Sequence, residues 1–239
     1  MQVTNLAYFY ETSKTLRGGK WVWVKDSNGE QRNNVLLGGT ILNPKDGFDH
    51  LYAAQLVQYT PGEGCLIFRS FKVQAEAASN ATTIYLEGDG YSDAPEAGML
   101  LMVAPSAAVV ASDESDAVDG YVDYTGQSAK VTNVVYDAAN KKFTVTLAAA
   151  LGAALTTDTI LVEAEGEDAS ATAKLLVPNP NTFIEADRDL MPTDGYGIEN
   201  ANYSISTVYN KQAWIARMQP LPKYVLEKNR SYIDGIFWI

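Results

Sequence analysis

The chain has one cysteine, Cys65, and one histidine, His50, in 239 residues. A lone cysteine excludes an internal disulfide and any multi-cysteine zinc site, so stability has to come from packing or from assembly. A lone histidine leaves a Ser-His-Asp triad only His50 to use. The neighbours Phe48-Asp49 and Leu51-Tyr52 offer no nucleophile elbow, and no G-x-S-x-G occurs. Cys65 lies between Gly64 and Leu66 with no cation before Arg69, which predicts a buried, inert thiol instead of a thiolate. Basic residues are also scarce: 18 Lys and Arg against 29 Asp and Glu give a formal net charge of −11. That sign opposes binding to a phosphate backbone, so no nucleic-acid partner is expected. No apolar run approaches the ~18–20 residues that span a bilayer, and Met1–Lys14 lacks the basic start and apolar core of a secretion signal. The expectation is a soluble cytoplasmic product with no membrane partner.

The remaining chemical candidates fall short of their patterns. Asp113, Glu114, Asp116, Asp119 and Asp123 miss the alternate spacing of an EF-hand and predict a solvated loop, and Glu87, Asp89 and Asp93 meet the same objection. Gly18-Gly19 is followed by Lys20, but Trp21 stands where a phosphate loop needs a hydroxyl, and Gly38-Gly39 has no lysine beside it. Glu185, Asp187 and Asp189 alternate as a glycosidase pair would, yet any acidic chain offers such pairs by chance. No catalytic residue, metal or cofactor is expected, and the chain is not expected to be an enzyme.

What the sequence does contain is β-pattern. In Ala129–Leu147, Phe143, Val145 and Leu147 alternate with Thr144 and Thr146, the period of a half-buried strand. The preceding run, Val131 to Tyr136, carries apolar groups on both faces and predicts cover on both sides. Between them, Asp137 to Lys142 supplies turn formers that bond back to their own backbone. Thr83–Leu86, Met99–Val103 and Thr159–Glu163 add further short strands, so residues 71–177 predict a small β-barrel or sandwich module. Residues 1–70 form a β-rich N-terminal flank, with Val35–Pro44 an extended run interrupted by paired glycines, Asp46–Leu56 a short helical turn, and Leu56–Tyr59 and Cys65–Val73 a pair of strands. Pro178-Asn-Pro180 marks the boundary to a C-terminal flank, 178–239, holding a strand at Tyr203–Tyr209 and a short helical segment after Pro222. The fold class expected is mainly β, with irregular β-rich flanks around the module.

All four tryptophans, Trp21, Trp23, Trp214 and Trp238, lie in the flanks. Trp21 and Trp23 share one face of a strand, as packing groups or as a sugar-stacking platform. The apolar ending Ile236, Phe237, Trp238 and Ile239 needs a docking surface on this chain or a partner. With Tyr224, these residues are the candidates for interaction.

Arg69-Ser-Phe-Lys-Val73, Thr83-Ile-Tyr-Leu-Glu87-Gly88-Asp-Gly90, Gly98-Met-Leu-Leu-Met-Val-Ala-Pro105, Lys130-Val-Thr, Phe143-Thr-Val-Thr-Leu147 and Leu151-Gly-Ala-Ala-Leu155 resemble a module of head-associated structural proteins of tailed bacteriophages, especially those of Bacteroides-like gut bacteria. The resemblance spans roughly residues 68–162 and loosely the C-terminal flank, where Pro220-Leu-Pro222 leads to Ile236–Ile239; the N-terminal flank shows none. It implies a virion protein made in the host cytoplasm: a head fibre, decoration or auxiliary capsid protein. The implied partner is the major capsid protein, with self-assembly into a dimer or trimer. The alternatives are a carbohydrate-binding or host-adhesion module, and a tail or portal-vertex component. The acidic insertion Ser112–Tyr124 departs from a minimal barrel.

Overall fold

The computed structural model describes residues 16–17, 20–21, 35–45, 49–60, 62–88, 93–105, 124–184, 188–190, 204–209, 212–213, 217–226 and 237–238. The chain divides into two compact units: Met1–Ile67 with Pro180–Met218 and Arg230–Ile239, and Phe68–Asn179 with Gln219–Asn229. Both are mainly β, in mostly antiparallel sheets, as the alternation of apolar and polar residues predicts.

In the first unit, Val35–Thr40, Ser204–Tyr209, Thr182–Ile184, Leu56–Thr60 and Gly64–Ile67 form one antiparallel sheet in that order. The glycine pair does not interrupt it, since Gly38 and Gly39 stay in unbroken register with Ser206 and Ile205. The hairpin closing on Gly64 requires glycine: φ is +143°, and a Cβ there would collide with the carbonyl oxygen of Thr40. Ile41, Leu51, Val57, Cys65, Ile67 and Ile184 make the core. The helical turn expected at Asp46–Leu56 is not found in its described part. Asp49–Leu51 is a strand paired with Arg188–Leu190, and a turn with Ala54 at φ 62° follows. So short a segment has little helical stability of its own, and the ladder to a distant strand decides its form.

The second unit is built on a six-stranded antiparallel sheet, ordered Ser70–Lys72, Ile160–Glu163, Leu100–Val103, Ser128–Asp137, Lys142–Leu147, Thr83–Glu87, with a two-stranded ladder of Thr125–Gly126 and Ala173–Lys174 beside it in the chain. The six-stranded sheet is not a closed barrel. Its first and last strands meet at the bridge from Val73 to Leu86, supported by the Gln74 N–H donating to the Tyr85 carbonyl at 2.8 Å. Alternate residues point to one interior, where Phe71, Val73, Ile84, Leu86, Leu101, Ala129, Val131, Val145, Leu147 and Leu161 are buried.

The hairpin at the centre forms as expected, from Val131 opposite Leu147 to Asp137 opposite Lys142. Its first strand is not covered on both sides, because the register shifts between Val131 and Asn133. The extra residue changes the inward parity from Ala129 and Val131 to Val134 and Tyr136. Val135 therefore turns outward, 55% exposed, and Tyr136 reaches the end of the core against Phe143, ring centroids 4.8 Å apart. Asp137 fixes the turn. Its Oδ1 accepts from the N–H groups of Ala139 and Asn140, each at 3.1 Å, and its Oδ2 accepts from the Asn140 side chain at 2.7 Å.

Residues 219–226, far along the C-terminal flank in sequence, belong to this unit and end in one helical turn. The Gln219 side chain donates to the Phe68 carbonyl at 3.1 Å and Ser70 Oγ donates to the Pro220 carbonyl at 2.5 Å. Tyr224 is wholly buried against Phe68, edge to face at 6.5 Å.

Candidate interaction surface

Two arrangements in the second unit carry chemistry, one inside the sheet and one on its outer side. The inner one follows from strand parity. Phe71 and Val73 point inward, so Arg69, two residues earlier, starts on the same side; Leu161 points inward, so Glu163 follows it. Arg69 Nη1 lies 3.3 Å from Glu163 Oε2, and its Nε lies 3.1 Å from Asp93 Oδ2, with the Arg69, Glu163 and Asp93 side chains only 1%, 10% and 5% exposed respectively. Asp93 is held in turn by accepting the Ala94 N–H at 2.9 Å. A guanidinium between two buried carboxylates is a structural tie, since each charge loses water and regains a partner. The adjoining crevice, lined by Phe68, Arg69, Val162, Glu163, Val177 and Tyr224, leaves no room for a water molecule.

The outer arrangement comes from the same alternation read on the other side. Register places Val135 opposite Thr144 and Thr144 opposite Tyr85, a row crossing three strands. The next row is charged: Asp137 opposite Lys142, Lys142 opposite Glu87, and Glu87 in turn 3.2 Å from Lys72 Nζ. Lys142 Nζ stands 4.9 Å over the Tyr85 ring and 4.0 Å from Asp137 Oδ2. The Asn140 side chain, with lesser help from its backbone N–H and from Lys142, holds the Asp137 carboxyl below its ordinary value of 3.8. On the other side of the apolar row lie Asn133, Thr146 and Thr83.

The candidates from sequence fall elsewhere. Trp21 pairs with Leu16 in a two-stranded ladder, and Phe237–Trp238 run parallel to Gln212–Ala213, all within the first unit. Trp23, Ile236 and Ile239 lie outside the described residues, as does the acidic stretch 112–123. Tyr224 is no surface group: its hydroxyl donates to the Val177 carbonyl at 3.4 Å and its ring is internal. Asp93, read from sequence among possible calcium ligands, is engaged by Arg69. Cys65 is buried, and that burial pushes its thiol up to about 11. His50 packs edge to face on Tyr52 at 4.4 Å. Among the described residues no three His, Cys, Asp or Glu side chains gather as metal ligands, and no helix is long and apolar enough to cross a membrane.

No protein-family model matches the chain, and no curated protein matches it significantly. The alternation that would have revealed the outer rows is present in sequence, but the parity shift between Val131 and Asn133 hides Val135 among residues that point inward.

Proposed function

We propose that this chain is a non-enzymatic structural component of a tailed-phage virion, one that binds the major capsid protein at the capsid surface as a head-fibre base, decoration or auxiliary capsid protein. The observation carrying the reading is that the segments resembling phage head proteins are not scattered. Ser70–Lys72, Thr83–Glu87, Leu100–Val103 and Lys142–Leu147, with Lys130 and its neighbours, are strands of one sheet around one core. A resemblance that coincides with a folding unit concerns a module and not a chance string. The buried polar groups of that module support the same reading, because Arg69, Asp93 and Glu163 are taken up by one another. Acidic charge in excess suits a particle coat that must remain soluble.

The test is co-sedimentation of the purified chain with capsids assembled from the major capsid protein encoded beside it. The chain is expected to pellet with particles and to stay in the supernatant without them. Removal of Ile236–Ile239 is expected to abolish pelleting while leaving the thermal transition of the second unit unchanged. Pelleting that survives the deletion refutes the tail as the contact, and failure of the intact chain to pellet refutes the capsid reading. A host-adhesion reading draws on the half-exposed Tyr136 ring at the hairpin end and is separated by glycan-array binding without capsids.

A further inference from the structure

We infer that the outer face of the hairpin sheet is a self-association surface, on which two copies of this chain meet across a two-fold axis running parallel to the strands. Charge order across the sheet carries the inference. The charged row reads Asp137, Lys142, Glu87, Lys72, that is minus, plus, minus, plus. A two-fold axis along the strands, between Lys142 and Glu87, lays this row over its own reversal, so Asp137 meets Lys72 and Lys142 meets Glu87 at every position. The same operation lays Thr144 over Tyr85. Val135 then falls over Gln74, whose N–H bonds the Tyr85 carbonyl and which extends that row by one position. A two-fold axis across the strands would instead set each charge against its own kind or against a different row. A second copy of this sheet offers the matching order.

The face also has a reason to be covered. Val135 is the large apolar side chain that the bulge turns onto this face, where it is 55% exposed. Each charge keeps a partner within its own chain, at 3.2 Å for Lys72 with Glu87 and 4.0 Å for Lys142 with Asp137, so the monomer is stable with the row exposed. The four strands that carry the charged row, about 4.8 Å apart and at most about six residues long, cover a few hundred Å², less than the ~800 Å² per partner of a tight complex. The dimer is therefore weak and concentration-dependent in free solution, and strengthened wherever many copies are held close together. Pairing of this kind does not depend on what holds them there.

The experiment is sedimentation equilibrium on the full chain at low and high salt, for the wild type, K142E, E87K, K142E/E87K and V135E, each checked for an unchanged fold by its melting curve. A reversible dimer weakened by salt is expected for the wild type. Either single reversal places like charges face to face and is expected to weaken dimerisation at least about tenfold. The double variant reads minus, minus, plus, plus, which is again its own complement, and is expected to restore association. V135E changes a side chain already in solvent, so it keeps the fold and loses the dimer. A wild type that stays monomeric at every concentration overturns the inference. So does a dimer indifferent to the single reversals, or a double variant no better than either single. Capsid pelleting by a monomeric wild type overturns it while leaving the virion reading intact.

Discussion

Replacing Arg69 with methionine isolates the value of the buried ion cluster. The substitution keeps most of the apolar stem and removes the guanidinium. What remains is the Asp93 and Glu163 carboxylates, 5% and 10% exposed, without the cation that lies 3.1 and 3.3 Å from them. Removing one partner of a buried pair costs about 3–5 kcal/mol, because the charge left behind has already given up its water. In a unit of this size that corresponds to a melting midpoint lower by roughly 10–20 °C. Chemical denaturation of the full chain, followed by a signal from the second unit, gives the free energy directly. The triple variant R69M/D93N/E163Q removes every charge of the cluster, while the amide oxygen introduced at position 93 can still accept the Ala94 N–H. It is expected to recover most of the loss, since the cost lies in the unpaired charge and not in the absence of the ion pair. A loss under ~1 kcal/mol for R69M, or a triple variant no more stable than the single, refutes the cluster as a tie between the ends of three segments.

Other consequences are open to simpler measurements. Tyr224→Ala empties a fully buried aromatic site and is expected to cost about 3–5 kcal/mol in denaturation of the second unit, whereas Tyr224→Phe keeps the ring, loses the 3.4 Å hydrogen bond to the Val177 carbonyl and is expected to cost far less. Because Asp137 titrates lower when folded than its ordinary 3.8, its hold on the turn is fully present above that value. It is lost as pH falls through the folded value. Protection of the 137–142 turn amides, taken relative to the intrinsic exchange rate at each pH, is expected to fall only in that acid range, and D137A to show no such step. Cys65 behaves in the opposite sense: an unfolded thiol ionises near 9.0 and the folded one near 11, so stability of the first unit is expected to fall as pH rises from 9 to 11. At pH 8 the native thiol is expected to resist a disulfide reagent that labels it at once in guanidinium; prompt labelling of the native chain counts against its burial.

The strands of the second unit were legible because each carries its own period. Phe143, Val145 and Leu147 announce their inward face without reference to anything distant, and the partners across the sheet differ little from one strand to the next. The ion cluster was legible in principle and easily overlooked. Continuing the alternation of Val73 and Phe71 by one step assigns Arg69 to the interior, and continuing from Leu161 does the same for Glu163. Composition argues the other way, since charges are expected outside. The role of Tyr224 was out of reach, because its partners Phe68 and Val177 lie far away in sequence and nothing local marks residues 219–226 as part of that core.

The bulge of the first hairpin strand links the core to the outer face. Were the register unbroken, the inward parity of Ala129 and Val131 would continue to Asn133, Val135 and Asp137, driving an amide and a carboxylate towards the core. Burying either without a partner costs more than exposing one valine. The shift between Val131 and Asn133 sends both polar residues out, brings in Val134 and leaves Val135 in solvent. It also sets the outer rows, since Asp137 now stands beside Lys142 and Glu87, and Val135 beside Thr144 and Tyr85. One inserted residue thus keeps the core dry and lays out the charge order on which the proposed pairing of two copies depends.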